Sequence, residues 1–159
     1  MQINPVNSYN TKPSFKRLYM PSKEALVKYS RGFANKAEKQ RPVLEQLGNF
    51  FDIYIVPQFK DEDLELVKSL IGNASFELQE KFNQIKDYFP KDNYFNIHIA
   101  ARFPRTIDNI EDRKDIGDVI INAPCIEVEH LADSVDLIIN DPSVTEPLKE
   151  QQKIYNTWT

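Results

Sequence analysis

The segment Tyr94 to Phe103 alternates: Phe95, Ile97, Ile99 and Ala101 fall on one side and Asn96, His98, Ala100 and Arg102 on the other, with Pro104 closing the run. Side chains of an extended chain point to opposite faces with a period of two, so this pattern reads as a half-buried strand. A strand with one apolar face has to sit in a sheet that is covered on that face. Its neighbour is expected in Asn49 to Val56, where Phe51, Ile53 and Ile55 alternate with Asp52 and Tyr54. A third short strand is expected in Asp118 to Asn122, through Val119, Ile120 and Ile121.

Helical spacing fills much of the remainder. Ser22 reads as an N-cap, and Leu26, Tyr29, Phe33 and Ala37 recur at three- and four-residue intervals after it. Pro42 is expected to kink or restart that helix before Val43, Leu44 and Leu47, with Gly48 as the stop. Asp61 is expected to cap a helix carrying Leu64, Val67, Leu70 and Ile71. From Ser75, a further stripe runs Leu78, Phe82, Ile85 and Phe89 and ends at Pro90. Arg105 to Asp115 reads as a charged loop. After Pro124 the pattern is mainly helical through Val128, Leu131, Val135 and Ile138, with two short strands as the other reading, and a last helix starts near Thr145.

The order predicts an α+β fold: a small mixed or antiparallel sheet of about three strands packed against about four to five helices, with an α/β layered sandwich as the alternative. Residues 1–13 are expected to form a mobile N-terminal arm, being rich in Asn, Ser and Pro, and residues 14–159 one globular domain. A composition of 41% hydrophobic and 28% charged residues suits such a domain. No apolar stretch approaches the roughly 20 residues that span a bilayer. The start of the chain lacks the apolar middle of a secretory signal, so cytoplasmic residence is the expectation.

Scarcity narrows the chemistry. The four glycines, Gly32, Gly48, Gly72 and Gly117, are isolated, and neither a dinucleotide fingerprint nor a Walker-type loop can be drawn from them. Cys125 is the one cysteine and His98 and His130 are the two histidines, too few for a structural zinc site or a disulfide. The motif content matches no characterised family, and no cofactor or metal is expected.

Three surfaces remain as candidates. If the two central strands are neighbours, Asp52, Tyr54, Asn96, His98 and Arg102 share one sheet face, with His98 or Asp52 as acid/base and Arg102, Asn96 and Tyr54 as contacts for an anionic ligand. An ordinary wet face of the sheet is the competing explanation. Around Cys125, the residues Glu127, Glu129, His130 and Asp133 offer oxygen and imidazole donors, but the spacing matches no metal motif, and Cys125 reads as a small buried hydrophobe. Ser134 lacks the glycine-flanked turn that presents a serine nucleophile.

Charge is uneven along the chain. Lys12, Lys16, Arg17, Lys23, Lys28, Arg31, Lys36, Lys39 and Arg41 precede Asn49, against only Glu24, Glu38 and Glu45, in a chain of net charge -4. The leading functional expectation is therefore a small soluble protein-interaction module, with a small enzyme or ligand-binding domain for an anionic substrate, using His98 and Arg102 on the polar sheet face, as the alternative. The module's contact surfaces are the extended segment Phe15 to Met20, with Phe15, Leu18 and Tyr19, and the basic helix, with Lys28 and Arg31. Attraction between the two halves of one domain is the competing account of the asymmetry, and chain entry over the core that of the extended segment. Nucleic-acid binding is disfavoured by a pI near 5.3 and because Tyr29 and Phe33 lie on the stripe that should be buried.

Overall fold

The computed structural model describes residues 17–59, 68–85 and 92–158. It shows an α+β fold built on a four-stranded mixed sheet in the order β1 (Leu18–Tyr19), β2 (Asp52–Gln58), β3 (Tyr94–Ala100), β4 (Ile120–Cys125). The pairing of β1 with β2 is parallel; the other two pairings are antiparallel. Three strands were expected, and the fourth is the two-residue entry segment Leu18–Tyr19. Ile53 stands opposite Ile99 and Ile55 opposite Ile97, so the apolar residues of the two central strands share one face, as the alternation requires.

That face is closed by helices. Phe33, Ala34, Ala37 and Leu44 of α2 (Arg31–Leu47) meet Ile53, Ile55, Phe95, Ile97 and Ile99, together with Leu131 and Val135 of α5 (Leu131–Ile139) and Leu148 of α6 (Pro142–Asn156). The rings of Phe33 and Phe95 stack at 4.6 Å. Each fully covered Ile or Phe contributes about 1.5–3 kcal/mol from removal of apolar surface from water, so this layer is the main source of stability. Gln40 joins two elements over it, accepting from Ala132 N at 2.8 Å and donating to the Val128 carbonyl.

Several boundaries differ from the sequence expectation. Ser22 does cap a helix, accepting from Ala25 N at 3.2 Å, but α1 (Lys23–Leu26) ends after one turn. Ser30 then supplies a second cap, accepting from Phe33 N at 3.0 Å, and α2 starts afresh. Pro42 does not interrupt α2: it lies on the exposed side of the helix, away from the buried stripe that holds α2 against the sheet. The stretch read as a charged loop holds a helix, α4 (Ile110–Asp115), made without an apolar stripe. Asn109 accepts from Glu111 N at 2.7 Å, acids occupy the first turn and Arg113 and Lys114 the last, each sign facing the favourable end of the helix dipole.

A 3-10 turn (Val128–His130) leads into α5, so the residues after Pro124 are helical beyond the strand end, and α6 begins at an Asp141 cap ahead of Thr145. Of the expected helices in the middle of the chain, one turn is seen at 68–71 and α3 spans Phe76–Ile85, with Phe82 buried and Leu78 exposed. Asp61, Leu64, Val67, Phe89, Pro90 and the arm 1–13 lie outside the described residues. Among the described residues no helix is long and apolar enough to cross a membrane.

Both margins of the sheet carry a proline at an outward position. Ile53 donates its amide to Arg17 O at 2.9 Å, towards β1, so by alternation Ile55 and Pro57 also turn their backbone that way, beyond the end of the two-residue β1. Asp52, Tyr54 and Val56 then face β3, whose residues Phe95, Ile97 and Ile99 face Cys125, Ala123 and Ile121 of β4. That leaves Ile120, Asn122 and Pro124 facing away from the sheet. The N–H that proline lacks would have pointed out of the ladder on each side.

Candidate functional site

The second face of the sheet carries the polar residues of the central strands. Register sets Tyr54 opposite His98 and Val56 opposite Asn96, so Asp52, Tyr54, Asn96 and His98 do share a face. Half of that face is not wet. The chain from Ala101 to Asp118 folds back across it, and Asp52 is 0% and Tyr54 2% exposed.

What closes this half is Arg113 of α4, itself 0% exposed. Its guanidinium donates to Asp52 Oδ2 at 2.6 Å, to Asp118 Oδ2 at 2.5 Å, to the Ala101 carbonyl at 2.5 Å and to Tyr54 Oη at 3.3 Å. Planar, multiply donating geometry of this kind is specific to arginine. Arg17 lies 3.5 Å from Asp52 Oδ1 and donates to the Phe103 carbonyl at 3.0 Å, while Phe103 N donates to Asp52 Oδ2 at 3.2 Å. Tyr155 of α6 donates to Asp118, and Tyr54 donates to the Ile107 carbonyl at 2.5 Å. Phe103, Tyr155 and Trp158 pack edge to face above the network.

Electrostatics follow from this closure. Burial pushes the Asp52 carboxyl upward while Arg17 and Arg113 hold it down. Burial also lifts the Tyr54 phenol to about 12, against the opposing Arg113. For Arg113 burial acts to lower the value, but the bonds to Asp118, Tyr54 and Asp52 outweigh it, and the guanidinium is held charged. Chemically this is a buried ion-pair core: Asp52 Oδ2 accepts from Arg113 and the Phe103 amide, whereas Oδ1 lies 3.5 Å from Arg17 without a hydrogen-bond partner among the described residues, and the 0% exposure of the side chain keeps it from a ligand in solvent.

The other half of the face is shallower. His98 is half-buried, hydrogen-bonded through Nδ1 to Asn122 Oδ1, and burial lowers its pKa. Asn96 stands opposite Pro124. Arg102 lies past the end of β3: Gln152 clamps its backbone, accepting from N at 2.7 Å and donating to O at 3.0 Å, and its guanidinium donates to the Asn49 carbonyl at 3.1 Å. The imidazole is held at Asn122 on β4 and the Arg102 guanidinium at the Asn49 carbonyl, so the two side chains are engaged at different places.

The remaining candidates are placed as follows. Leu18 packs against the core, Tyr19 stacks on Tyr54 at 4.4 Å, and Phe15 is outside the described residues. Lys28 and Arg31 are exposed. Tyr29 stacks on Phe59 at 3.9 Å and Phe33 on Phe95, so the aromatics interleaved with the basic helix are spent internally. Donor atoms of Glu127, Glu129 and His130 lie within 4.8 Å of one another at the surface, with Lys36 at 3.4 Å from Glu129 and Asp133 at 3.7 Å from His130. Cys125 is buried, its thiol donates to the Glu127 carbonyl at 3.2 Å, and burial raises its pKa, opposite to what a nucleophilic thiolate needs.

Arg113, Arg17, Asp118 and Tyr155 are the members of the polar core that pattern reading does not single out. One signal for Arg113 was present: Asn109, then two acids, then two bases, is a cap-and-dipole arrangement that marks a short helix. Comparison with protein-family models, with curated proteins and with solved structures finds no match to this chain.

Proposed function

We propose that the protein is an interaction module that binds an acidic protein segment through the outer face of α2. One observation carries the reading. Opposite the buried Phe33, Ala34, Ala37 and Leu44, helical spacing places Arg31, Asn35, Lys39 and Gln46 in line, all exposed, with no carboxylate among them. The cations of Lys23, Lys28, Arg31 and Lys39 have no ion-pair partner among the described residues, whereas Arg17, Lys36 and Arg41 are bridged to Asp52, Glu129 and Glu38. Attraction within the fold thus uses part of the basic N-terminal third and leaves the α2 face unspent.

The extended segment contributes little to this reading, since Leu18 and Tyr19 are engaged in the protein's own sheet. A protein partner is favoured over a nucleic acid because Phe33 is buried and the partly buried Tyr29 already stacks on Phe59, so neither ring is free for a single strand to stack on. A reducing, cytoplasmic setting suits a chain whose one thiol is buried and unbridged.

The test is fluorescence anisotropy with a labelled polyglutamate peptide and, in parallel, a labelled oligothymidylate. Saturable binding of the peptide at low salt, weakened as the Debye length shortens to ~8 Å and abolished by Arg31→Glu with Lys39→Glu, supports the reading. Tighter binding of the oligonucleotide transfers the face to nucleic acid, and no binding of either removes it.

A further inference from the structure

We infer that a second site, at the C-terminal end of α6, binds a small amphipathic anion: a carboxylate or sulfonate carried on an aromatic ring. The cavity there measures about 360 Å³, at the small end of the range for ligand pockets, which suits a one- or two-ring molecule better than a nucleotide or a lipid. It is lined by Phe50, Phe51 and Ile139 on its apolar side and by Lys149 and Lys153 on its rim.

Three features select the ligand class. Phe50 is 66% exposed at the mouth while Phe51 is buried beside it, an aromatic wall and floor open to a ring from solvent. Lys149, Gln152, Lys153 and Asn156 recur at i, i+3, i+4 and i+7, which sets both ammonium groups on one face of α6. No acidic residue lines the cavity, although the chain as a whole carries a net charge of -4. Lys153 is shared with Glu150 at 3.1 Å, whereas Lys149 has no ion-pair partner among the described residues and is the cation available to an incoming anion. The ring would lie against the two phenylalanines and Ile139, and the anionic group would meet Lys149. This site is independent of the basic face of α2.

The experiment is isothermal titration calorimetry of the full chain with 2-naphthoate, and with 2-naphthamide as the same ring without charge. We expect saturable binding at one site, the amide weaker than the acid, and a loss of about tenfold in Lys149→Gln, the equivalent of one modest charge-assisted contact. Phe50→Ala is expected to weaken acid and amide alike. Both positions are exposed, so the variants should fold, which a far-UV spectrum checks. Absence of heat with naphthoate, equal affinity for the amide, or an equal loss in Lys39→Gln, a cation outside the cavity, each overturns the inference.

Discussion

Replacing Arg113 by Met removes the cation that sits between two buried carboxylates while keeping most of the side-chain volume. Asp52 and Asp118, 0% and 1% exposed at the side chain, then keep the more distant Arg17, the Phe103 amide and the Tyr155 hydroxyl, with no cation among the described residues in direct hydrogen-bond contact. Two charge-assisted bonds at about 1.5–3 kcal/mol each bracket the loss at ~3–6 kcal/mol. Breaking a buried ion pair from one side costs about 3–5 kcal/mol, in the same range. A value of about 4 kcal/mol is a large share of the ~5–15 kcal/mol that holds a domain folded, and corresponds to a drop of about 8–16 °C in Tm for a chain of this size. Urea unfolding read by the fluorescence of Trp158 measures it, since that indole is the only one and packs 5.0 Å from the Tyr155 ring. Adding Asp118→Asn to Arg113→Met should cost less than the two single losses added together, because the second change removes a carboxylate the first has stranded. A single-variant loss below about 1 kcal/mol, or strict additivity in the double variant, would refute the assignment of Arg113 as the centre of this network.

Two further outcomes are expected. Gly48→Ala, at the C-cap of α2, should destabilise by about 1–3 kcal/mol, because a Cβ there meets the Arg17 backbone at 3.2 Å, whereas Gly32→Ala in the first turn of α2, with nothing within 4 Å, should stabilise by about 0.5–1 kcal/mol; equal shifts in urea midpoint would contradict this. Tyr54 ionises near 12 in the fold against 10.0 unperturbed, so its stabilising contribution is whole below pH 10 and is lost as pH rises through 12. The difference in phenolate absorbance between the native protein and Tyr54→Phe reads it, and ionisation close to 10 in the folded state would contradict the closure of that face.

The inward face of the sheet was legible because nothing competes with period-two burial there: Ile53, Ile55, Phe95, Ile97 and Ile99 have no other place to go. The outward face was legible only as a set of neighbours. Alternation groups Asp52 with Tyr54 and His98, yet carries no information about what lies on top of them, and the cover comes from a stretch of charges that reads as loop. α4 owes its existence to Asn109 and to charge order, signals weaker than an apolar stripe and easily masked by six residues that are mostly ionic. Arg113 then reverses the ordinary rule that charges lie outside, because two carboxylates and a carbonyl from other elements wait for it. The break between α1 and α2 was hidden for a related reason: Ser22 and Ser30 are both good caps, and hydrophobic spacing cannot tell a helix that restarts from one that continues.

Pro57 and Pro124 set a limit on how this molecule can meet copies of itself. A neighbouring chain that tried to extend the sheet would find a rung missing on whichever side it approached, so growth by stacking strand on strand stalls after the first contact. Contacts between copies are then expected to fall on side chains of the helices and not on the strand margins that carry the two prolines.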